Sequence, residues 1–279
     1  MLGLFDSKFK KKVFPEIDIK YVKAFDVFLQ KRGCSGNTRK FYFKALRACL
    51  NKAIQDKEAP ESTYPFGKGG FNITSLEEET AKRYLQNGYM EKLKTTVMDN
   101  STMEMTRRLF LFTYYCYGIS FMDAALLTKR NIVQYNGGNS IVYKRHKTKE
   151  AKKVKPIQIG ITDTIQELLD WFAANTILIS DYLLPIVSRE YKGEQLYNHI
   201  RSRFGRTNKN LKNLATALEI TEMKLTSYVS RHTMAMTLQD NNTPREVISQ
   251  ILGHSDLATT NTYLDNFSSS VIDEAVKVL

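Results

Sequence analysis

The chain has few of the residues that build disulfide-bonded or membrane-spanning proteins. It contains three cysteines in 279 residues, Cys34, Cys49 and Cys116, and their number is odd and their spacing unlike that of metal ligands. We therefore expect reduced thiols, no structural disulfide and no bound metal. No apolar run approaches the roughly 20 residues of a spanning helix, and the N-terminus lacks the apolar stretch of a signal peptide. A membrane partner is not expected.

Acidic residues are also few relative to basic ones. The 29 Asp and Glu residues oppose 41 Lys and Arg residues, which gives a formal net charge of +12 and a pI near 9.4. Such an excess of positive charge indicates a polyanionic partner, and nucleic acid is the first candidate. A chain of this length exceeds the usual size of one domain, so two domains or one large one are expected.

Composition divides the chain near residue 60. Residues 1–16 form a basic lead-in, and residues 17–62 contain two segments with helical spacing of apolar residues, which predicts a small helical domain. Residues 63–74 are rich in Gly, Pro, Ser and Thr, which is typical of a linker. The capping box Ser75-Leu76-Glu77-Glu78 predicts a helix that runs to about Lys94. It opens a second domain at residues 75–267.

The second domain is predicted to be mainly α-helical with a small antiparallel β-sheet. Residues 132–135 and 140–143 flank the turn Asn136-Gly137-Gly138-Asn139, which is a strong hairpin signal, and residues 154–159 are expected to add a third strand. Helices are expected over residues 102–117, 162–175 and 194–218. Residues 268–279 predict a short terminal helix that is too small to be stable alone, so it must dock on its own chain or on a neighbouring protomer.

The last fifty residues contain the strongest chemical pattern. Arg231 offers a planar, permanently charged group that matches a pair of phosphate oxygens. His254 can donate or accept a proton near neutrality, and Tyr263 has an oxygen nucleophile that can form a covalent intermediate. This set of side chains suits attack on a phosphodiester.

The order of the pieces resembles the C-terminal signature of the tyrosine recombinases, the phage integrase family. The pieces are Arg231-His232, Leu252-Gly253-His254-Ser255 and Thr260-Asn261-Thr262-Tyr263. The resemblance implies a two-domain clamp, with a helical core-binding domain before a mixed α/β catalytic domain. It also implies a site-specific DNA recombinase that performs integration, excision or inversion through a 3′-phosphotyrosyl intermediate.

The resemblance further implies roles and partners. Tyr263 would attack the scissile phosphate, Lys147 in the β-hairpin would protonate the departing 5′ oxygen, and Arg231 with His254 would stabilise the transition state, without a cofactor. The expected partners are double-stranded DNA with inverted repeats, further copies of this chain in a homodimer or homotetramer, and an accessory DNA-bending protein. The expected location is the cytoplasm, at the nucleoid. Candidate DNA-binding residues lie on two basic helices, namely Lys40, Lys44 and Arg47 on one, and Arg201 and Arg203 on the other.

Two positions depart from the family pattern. The family places a first catalytic arginine at the turn after the long buried helix, where this chain has Tyr117-Gly118, although Asp123 matches the acid that follows. Tyr228 stands where the family has a histidine, three residues before Arg231, and its phenol can still hydrogen-bond phosphate. Four cations near the turn in sequence could replace the arginine, namely Arg107, Arg108, Lys129 and Arg130.

Three functions therefore stay open. The first is the recombinase described above, with activity reduced by the missing arginine. The second is a DNA-binding protein on a recombinase scaffold that does not cleave DNA. The third is an enzyme similar to the type IB topoisomerases, which use the same nucleophile but relax DNA without exchanging strands.

Overall fold

The chain folds into two units that divide after Ala81, one of residues 1–81 and one of residues 82–279. The computed structural model describes residues 1–78, 84–135, 137–148, 150, 155–253 and 257–264. For Asn87, Ala258, Thr262 and Tyr263 it describes the backbone alone. None of the helices in these ranges combines the length and the apolar character that crossing a lipid bilayer requires.

The first unit is built on two long helices, and an aspartate caps the start of one and a serine the start of the other. Asp18 accepts a hydrogen bond from the backbone N of Tyr21 at 2.8 Å, and Ser35 accepts one from the backbone N of Thr38 at 3.3 Å. Such side chains satisfy backbone N–H groups that a helix start leaves without partners. The helices of this unit are α1 (Leu2–Phe5), α2 (Ile19–Lys31) and α3 (Gly36–Gln55).

The segment expected to be a linker, residues 63–74, instead contributes to the core of the first unit. Phe71 packs against the buried Phe43 of α3 with ring centroids 4.6 Å apart, and Ile73 is also buried. The lead-in contributes as well, because Phe5 contacts the ring of Phe25. Two helices alone bury too little apolar surface for a stable domain, so the aromatic residues of both flanking segments complete the core. Glycine and proline in the segment prevented regular structure but not burial.

The predicted helix from Ser75 to Lys94 is wrong in its first part. Residues 74–76 form a single 3₁₀ turn, and the next helix among the described residues, which exclude 79–83, begins at Asn87. Both glutamates of the supposed capping box make other contacts. Glu77 forms an ion pair with Lys40 at 2.5 Å, and the carbonyl of Glu78 accepts from the side chain of Asn37 at 2.6 Å. Tertiary contacts within the first unit therefore override the local capping signal.

The second unit is helical with one three-stranded antiparallel sheet of order β1-β2-β3. The register pairs Ile132 with Ile141 and Tyr143 with Ile157, which confirms the predicted hairpin and third strand. The strands are β1 (Ile132–Tyr135), β2 (Gly138–Tyr143) and β3 (Ile157–Gly160). The helices are α4 (Asn87–Thr95), α5 (Ser101–Tyr115), α6 (Phe121–Ala125), α7 (Asp163–Asn175), α8 (Gly193–Ala217), α9 (Ser227–Asp240), α10 (Arg245–Leu252) and α11 (Leu257–Tyr263).

Helix α5 is the centre of the second unit, because it packs against α7, α8 and α9. Its apolar residues occur on several faces rather than on one stripe, and a helix with this pattern is buried on most sides. Leu109, Phe110, Leu111 and Phe112 are all buried in succession. The turn that follows α5 is therefore fixed to the core, next to α9.

A buried ion pair also fixes α5 to α4. The carboxylate of Glu104 accepts hydrogen bonds from Arg107 at 2.6 and 2.8 Å, from Arg108 at 2.5 Å and from the backbone N of Met98 at 3.1 Å. Arg107 donates another to the carbonyl of Leu93 in α4 at 2.6 Å. Both charges of the pair lie inside the protein, with Glu104 5% exposed and Arg107 3% exposed.

Stability at low pH is expected to depend on Glu104. Burial alone would raise its pKa, but the hydrogen bonds from Arg107, Met98 and Arg108 outweigh burial and lower the pKa from 4.5 to about 2. Because the pKa of the folded state is the lower one, the stabilisation is present above pH 4.5 and is lost as the pH falls towards 2. We expect Glu104→Gln to reduce the free energy of unfolding by about 3 kcal/mol at neutral pH, and to flatten its pH dependence in this window.

Urea denaturation of wild type and variant between neutral pH and pH 3 measures both effects, with Glu167→Gln on the exposed side of α7 as the control. A Glu104→Gln stability curve that runs parallel to the wild-type curve across the acid range would contradict the assignment.

Candidate active site

The second unit has a cleft of about 1670 Å³ that is lined by cations. Its walls come from the turn after α5, the start of α6, the segment between β2 and β3, and helices α8, α9 and α10. No carboxylate lies among the described residues that line it. The cations are Arg145, Lys147, Lys155, Arg201 and Arg231. A concave surface with this charge attracts an anion.

Arg231 is held rigidly at the base of this cleft. It lies on α9 and is 7% exposed. Its Nη1 donates to the carbonyl of Gly118 at 3.0 Å, and its Nη2 donates to the carbonyl of Leu252 at 2.6 Å. One guanidinium thus joins the turn after α5 to the last residue of α10. The side chain predicted as a phosphate ligand is already oriented in the cleft.

Gly118 allows this close approach of Arg231. Its φ is +63°, a left-handed conformation that side chains with a Cβ disfavour. A Cβ built at this position would lie 2.6 to 2.7 Å from Cγ, Cα and Cβ of Arg231. The preceding residue, Tyr117, has a φ of +57°. The turn thus contains two residues in the left-handed conformation, and the absence of a side chain at Gly118 leaves room for Arg231.

Gly118→Ala is therefore expected to lower the free energy of unfolding by about 3 kcal/mol, from backbone strain and overpacking together. The displaced Arg231 should also lose its position in the cleft. Urea denaturation measures the first effect. Gly205→Ala is the matched control, because Gly205 lies inside α8 with nothing within 4 Å of an added Cβ. There alanine should increase stability by up to about 1 kcal/mol. Equal stability of Gly118→Ala and wild type would show that the turn relaxes freely.

Asp123 positions the segment between β2 and β3. Its Oδ1 accepts from the backbone N of His146 at 2.7 Å, and its Oδ2 accepts from the hydroxyl of Ser120 at 2.7 Å. The carbonyl of Arg145 then accepts from the backbone N of Thr148 at 3.0 Å, which closes a turn. The acid that matched the family pattern thus connects the start of α6 to the cationic turn.

Tyr143, the last residue of β2, is buried and is influenced by the charged groups of the site. Burial raises the pKa of its phenol, and the negative charge of Asp123 raises it further, while Arg231 and Arg145 act in the opposite direction. The phenol is protonated at neutral pH as a result. Asp123, Arg145 and Arg231 thus all act electrostatically on one buried side chain.

Lys147 and Tyr228 line the cleft together with Arg231, as the sequence predicted for a common site. Lys147 is exposed in the turn after β2. Tyr228 is 57% exposed on the first turn of α9, and its ring meets that of His232 edge-on at 4.8 Å between centroids. Their catalytic roles remain predictions.

Helix α11, which ends at Tyr263, belongs to the same unit as the cleft. Leu264, directly after the helix, is 2% exposed in the core, and Thr260 is fully buried. Arg245 of α10 donates to the side chain of Asn261 at 3.3 Å. The side chain of Tyr263 lies outside the described part, as do all of His254 and residues 268–279 with the predicted terminal helix. Gly253 ends α10 in a left-handed conformation with a φ of +63°.

The five residues predicted to bind DNA have different surroundings. Lys44 and Arg47 are exposed on α3, and Arg201 is exposed in the cleft. The side chain of Lys40 is only 14% exposed because it pairs with Glu77. Arg203 is half-buried and donates to the carbonyl of Pro185 at 3.4 Å; burial, with the nearby Arg206, lowers its pKa. Lys40 and Arg203 thus already contact protein groups, and DNA contact stays a prediction for all five.

The cations proposed from sequence to replace the missing arginine lie elsewhere. Arg107 is paired with Glu104, and Arg108 stacks on Trp171 at 4.6 Å, while Lys129 and Arg130 are exposed outside the cleft lining. Arg145 and Lys155, which do line it, were not among the residues predicted from the sequence. The available signal was the cationic turn from Lys144 to Lys149, whose members cannot be told apart without the fold. No group of three His, Cys, Asp or Glu side chains able to hold a metal ion occurs in the described ranges.

Comparison with known proteins agrees with these features. Residues 4–73 match the phage integrase SAM-like domain, and residues 83–269 match the phage integrase family. The chain is 25% identical over 179 residues to the tyrosine recombinase XerD of Vibrio cholerae, a match that covers 64% of this chain and 55% of XerD. It is 26% identical over 189 residues to XerC of Staphylococcus aureus, which covers 68% of this chain and 55% of XerC. The chain spans about half the length of these relatives.

Solved structures share the fold at low identity. XerH bound to a palindromic difH substrate in a post-cleavage complex has a TM-score of 0.67 at 18% identity, with 94% of this chain and 72% of that chain covered. The Tn1549 transposon integrase in complex with transposon right end DNA has a TM-score of 0.69 at 13% identity, with 94% and 85% covered. Because the family match extends over more than half of the chain, the chain belongs to the phage integrase family, the tyrosine recombinases.

Proposed function

We propose that the protein is a site-specific DNA recombinase that cleaves and rejoins DNA through a 3′-phosphotyrosyl intermediate. The observation that carries the proposal is the fixed guanidinium of Arg231, which joins Gly118 to Leu252 at the base of a cation-lined cleft. Lys147 lines the same cleft, and the helix that ends at Tyr263 packs on α10, which forms one of the cleft walls.

In the proposed first step the phenol oxygen of Tyr263 attacks the scissile phosphorus. The new phosphotyrosyl bond forms on the 3′ side, and the bond from phosphorus to the 5′ oxygen breaks. Lys147 donates a proton to the departing 5′ oxygen, and Arg231 with His254 stabilises the charge that develops on the phosphoryl oxygens. A tyrosine phenol has a pKa of about 10 in water, so a positive surrounding favours its ionised, nucleophilic form.

The second step reverses the first with a different strand. A 5′ hydroxyl of the partner duplex attacks the phosphotyrosyl linkage and releases Tyr263. The energy of the phosphodiester is retained in the covalent linkage, so the exchange requires no nucleotide and no metal. Integration, excision and inversion are the three outcomes of this chemistry.

The proposed partners are double-stranded DNA that carries inverted repeats, and further copies of this chain in a dimer or tetramer. The similar solved structures support this part, since XerH and the Tn1549 integrase are bound to DNA and the lambda integrase is a dimer bound to a COC′ core site. An accessory DNA-bending protein and a location in the cytoplasm at the nucleoid complete the proposal.

The test is a covalent adduct between protein and DNA. A pool of nicked duplex fragments from the DNA that flanks the gene is incubated with the protein and separated on a denaturing gel. Where the nick lies just on the 3′ side of the scissile phosphate, cleavage releases a short fragment that carries the new 5′ hydroxyl. This fragment diffuses away, so the phosphotyrosyl product cannot revert. We expect a slow band that protease treatment removes. DNA binding on a native gel without any such band would contradict cleavage.

A second candidate function is DNA binding without cleavage. The observation that favours it is the pair Tyr117-Gly118 at the position of the family's first arginine. Binding without an adduct in the assay above is its expected result. The topoisomerase alternative predicts something else, namely relaxation of a supercoiled plasmid that has no repeat, and this result would contradict the recombinase proposal.

A further inference from the structure

An arginine from another part of the chain, Arg145, lies in the same cleft as the position of the missing first arginine. Tyr117 and Arg145 line the same cleft, although 28 residues separate them in sequence. Arg145 is half-buried just after β2. Its Nη1 donates to the carbonyl of Gly253 at 3.3 Å and to that of Leu252 at 3.5 Å.

Arg145 and Arg231 therefore meet at one atom. The carbonyl oxygen of Leu252 accepts from Nη2 of Arg231 at 2.6 Å and from Nη1 of Arg145 at 3.5 Å. Two guanidinium groups so close repel each other, and an anion bound by both would relieve the repulsion. No carboxylate of the described residues lines the cleft above them. Two adjacent forks of N–H donors in this arrangement match the oxygens of one phosphate.

The backbone around Arg145 is constrained, so its position is not accidental. The next residue, His146, donates its backbone N–H to the buried Asp123 at 2.7 Å. The side chain of Arg145 is held less tightly. Its hydrogen bonds, at 3.3 and 3.5 Å, are longer and weaker than the 2.6 Å hydrogen bond of Arg231. Nε and Nη2 of Arg145 have no acceptor among the described residues, and they remain available for a ligand in the cleft.

We propose that Arg145 is a catalytic residue that takes over the task of the missing first arginine, by donating to a non-bridging oxygen of the scissile phosphate opposite Arg231. The proposal rests on the recombinase function proposed above and names the group that completes its anion site. Asp123 then acts as a positioning residue for Arg145 through the backbone of His146.

Two other groups could have this role, and the structure disfavours both. Tyr117 is one of the two residues, with Gly118, that stand where the family has its first arginine, but its phenol is neutral and brings no charge to the transition state. Lys155 also lines the cleft and is exposed just before β3, but none of the contacts of the described residues ties it to the end of α10, where Arg231 is fixed. Arg145, by contrast, shares the carbonyl of Leu252 with Arg231 as an acceptor.

The test compares the initial rate of adduct formation at saturating nicked DNA for wild type, Arg145→Ala, Arg145→Lys and Arg145→Ala combined with Tyr117→Arg. We expect Arg145→Ala to lose at least about a hundredfold in rate, with Arg145→Lys intermediate because lysine keeps the charge but not the planar fork. Tyr117→Arg should recover at least about tenfold of the loss, because it returns a guanidinium to the same cleft. Arg130→Ala, which removes an exposed arginine outside the cleft, should keep the wild-type rate.

DNA affinity and the midpoint of thermal unfolding are measured on the same proteins, so that weaker binding or partial unfolding is distinguished from slower chemistry. An Arg145→Ala rate within threefold of wild type would overturn the role of Arg145 and leave the recombinase function intact. A defect confined to DNA affinity, with a wild-type rate once the DNA is saturating, would do the same. Absence of an adduct with wild type would overturn the recombinase function, and this proposal with it.

Discussion

Tyr263→Phe is expected to abolish the covalent adduct while DNA binding stays at the wild-type level. The substitution removes one oxygen atom, and that oxygen is the proposed nucleophile. The other groups of the cleft cannot form the adduct without it, so no residual rate is expected. The change leaves the ring in place. On a denaturing gel the slow band present with wild type should therefore fall below detection, whereas a native gel should show equal retardation of the same fragments.

The matched control is Tyr135→Phe, which removes a hydroxyl from a tyrosine that is 55% exposed on β1, outside the cleft. It should give the full wild-type adduct. A strong adduct with Tyr263→Phe would assign the covalent linkage to another residue and contradict the proposed mechanism, even if recombination itself were observed.

Arg231→Ala is expected to have two large effects. An arginine that acts on a phosphoryl transition state contributes on the order of a thousandfold or more in rate, so adduct formation should fall by that factor. The carbonyls of Gly118 and Leu252 would also lose their buried donors. We expect this loss to lower the free energy of unfolding by about 2 kcal/mol. Single-turnover kinetics and urea denaturation measure the two effects separately.

Arg231→Lys separates charge from geometry. Lysine keeps the positive charge, but it cannot hold both carbonyls and a phosphate through one planar group. Its rate should therefore lie between those of wild type and Arg231→Ala. Arg189→Ala removes an exposed arginine outside the cleft and should change neither rate nor stability. Wild-type kinetics with Arg231→Ala would exclude Arg231 from the reaction.

Local sequence signals predicted the elements whose residues interact with near neighbours. The β-hairpin followed from the turn at Asn136-Gly137-Gly138-Asn139, and the register confirms it. The two long helices of the first unit followed from the helical spacing of apolar residues within residues 17–62. Arg231 and Lys147 were placed in one site by resemblance to the family, and both line the cleft.

The features that sequence could not predict depend on contacts between distant segments. Ser75 has the capping box of a helix, but the ion pair of Glu77 with Lys40 arises only when the first unit folds. The burial of Phe71 depends on the distant Phe43 in the same way. Arg145 was one cation in a run of several, and only the position of Leu252, more than a hundred residues later, distinguishes it from the others.

The carbonyl of Leu252 also affects Arg231 and Arg145 in the free protein, before DNA binds. It lies at the C-terminal end of α10, where the aligned peptide dipoles of a helix concentrate about half a negative charge. This end of the helix therefore serves as a resident counter-ion for Arg231 and Arg145 in the free protein. The two cations can stay together at low salt without a bound anion, and an arriving phosphate finds its ligands already assembled, so that little of its binding energy is spent on bringing them together.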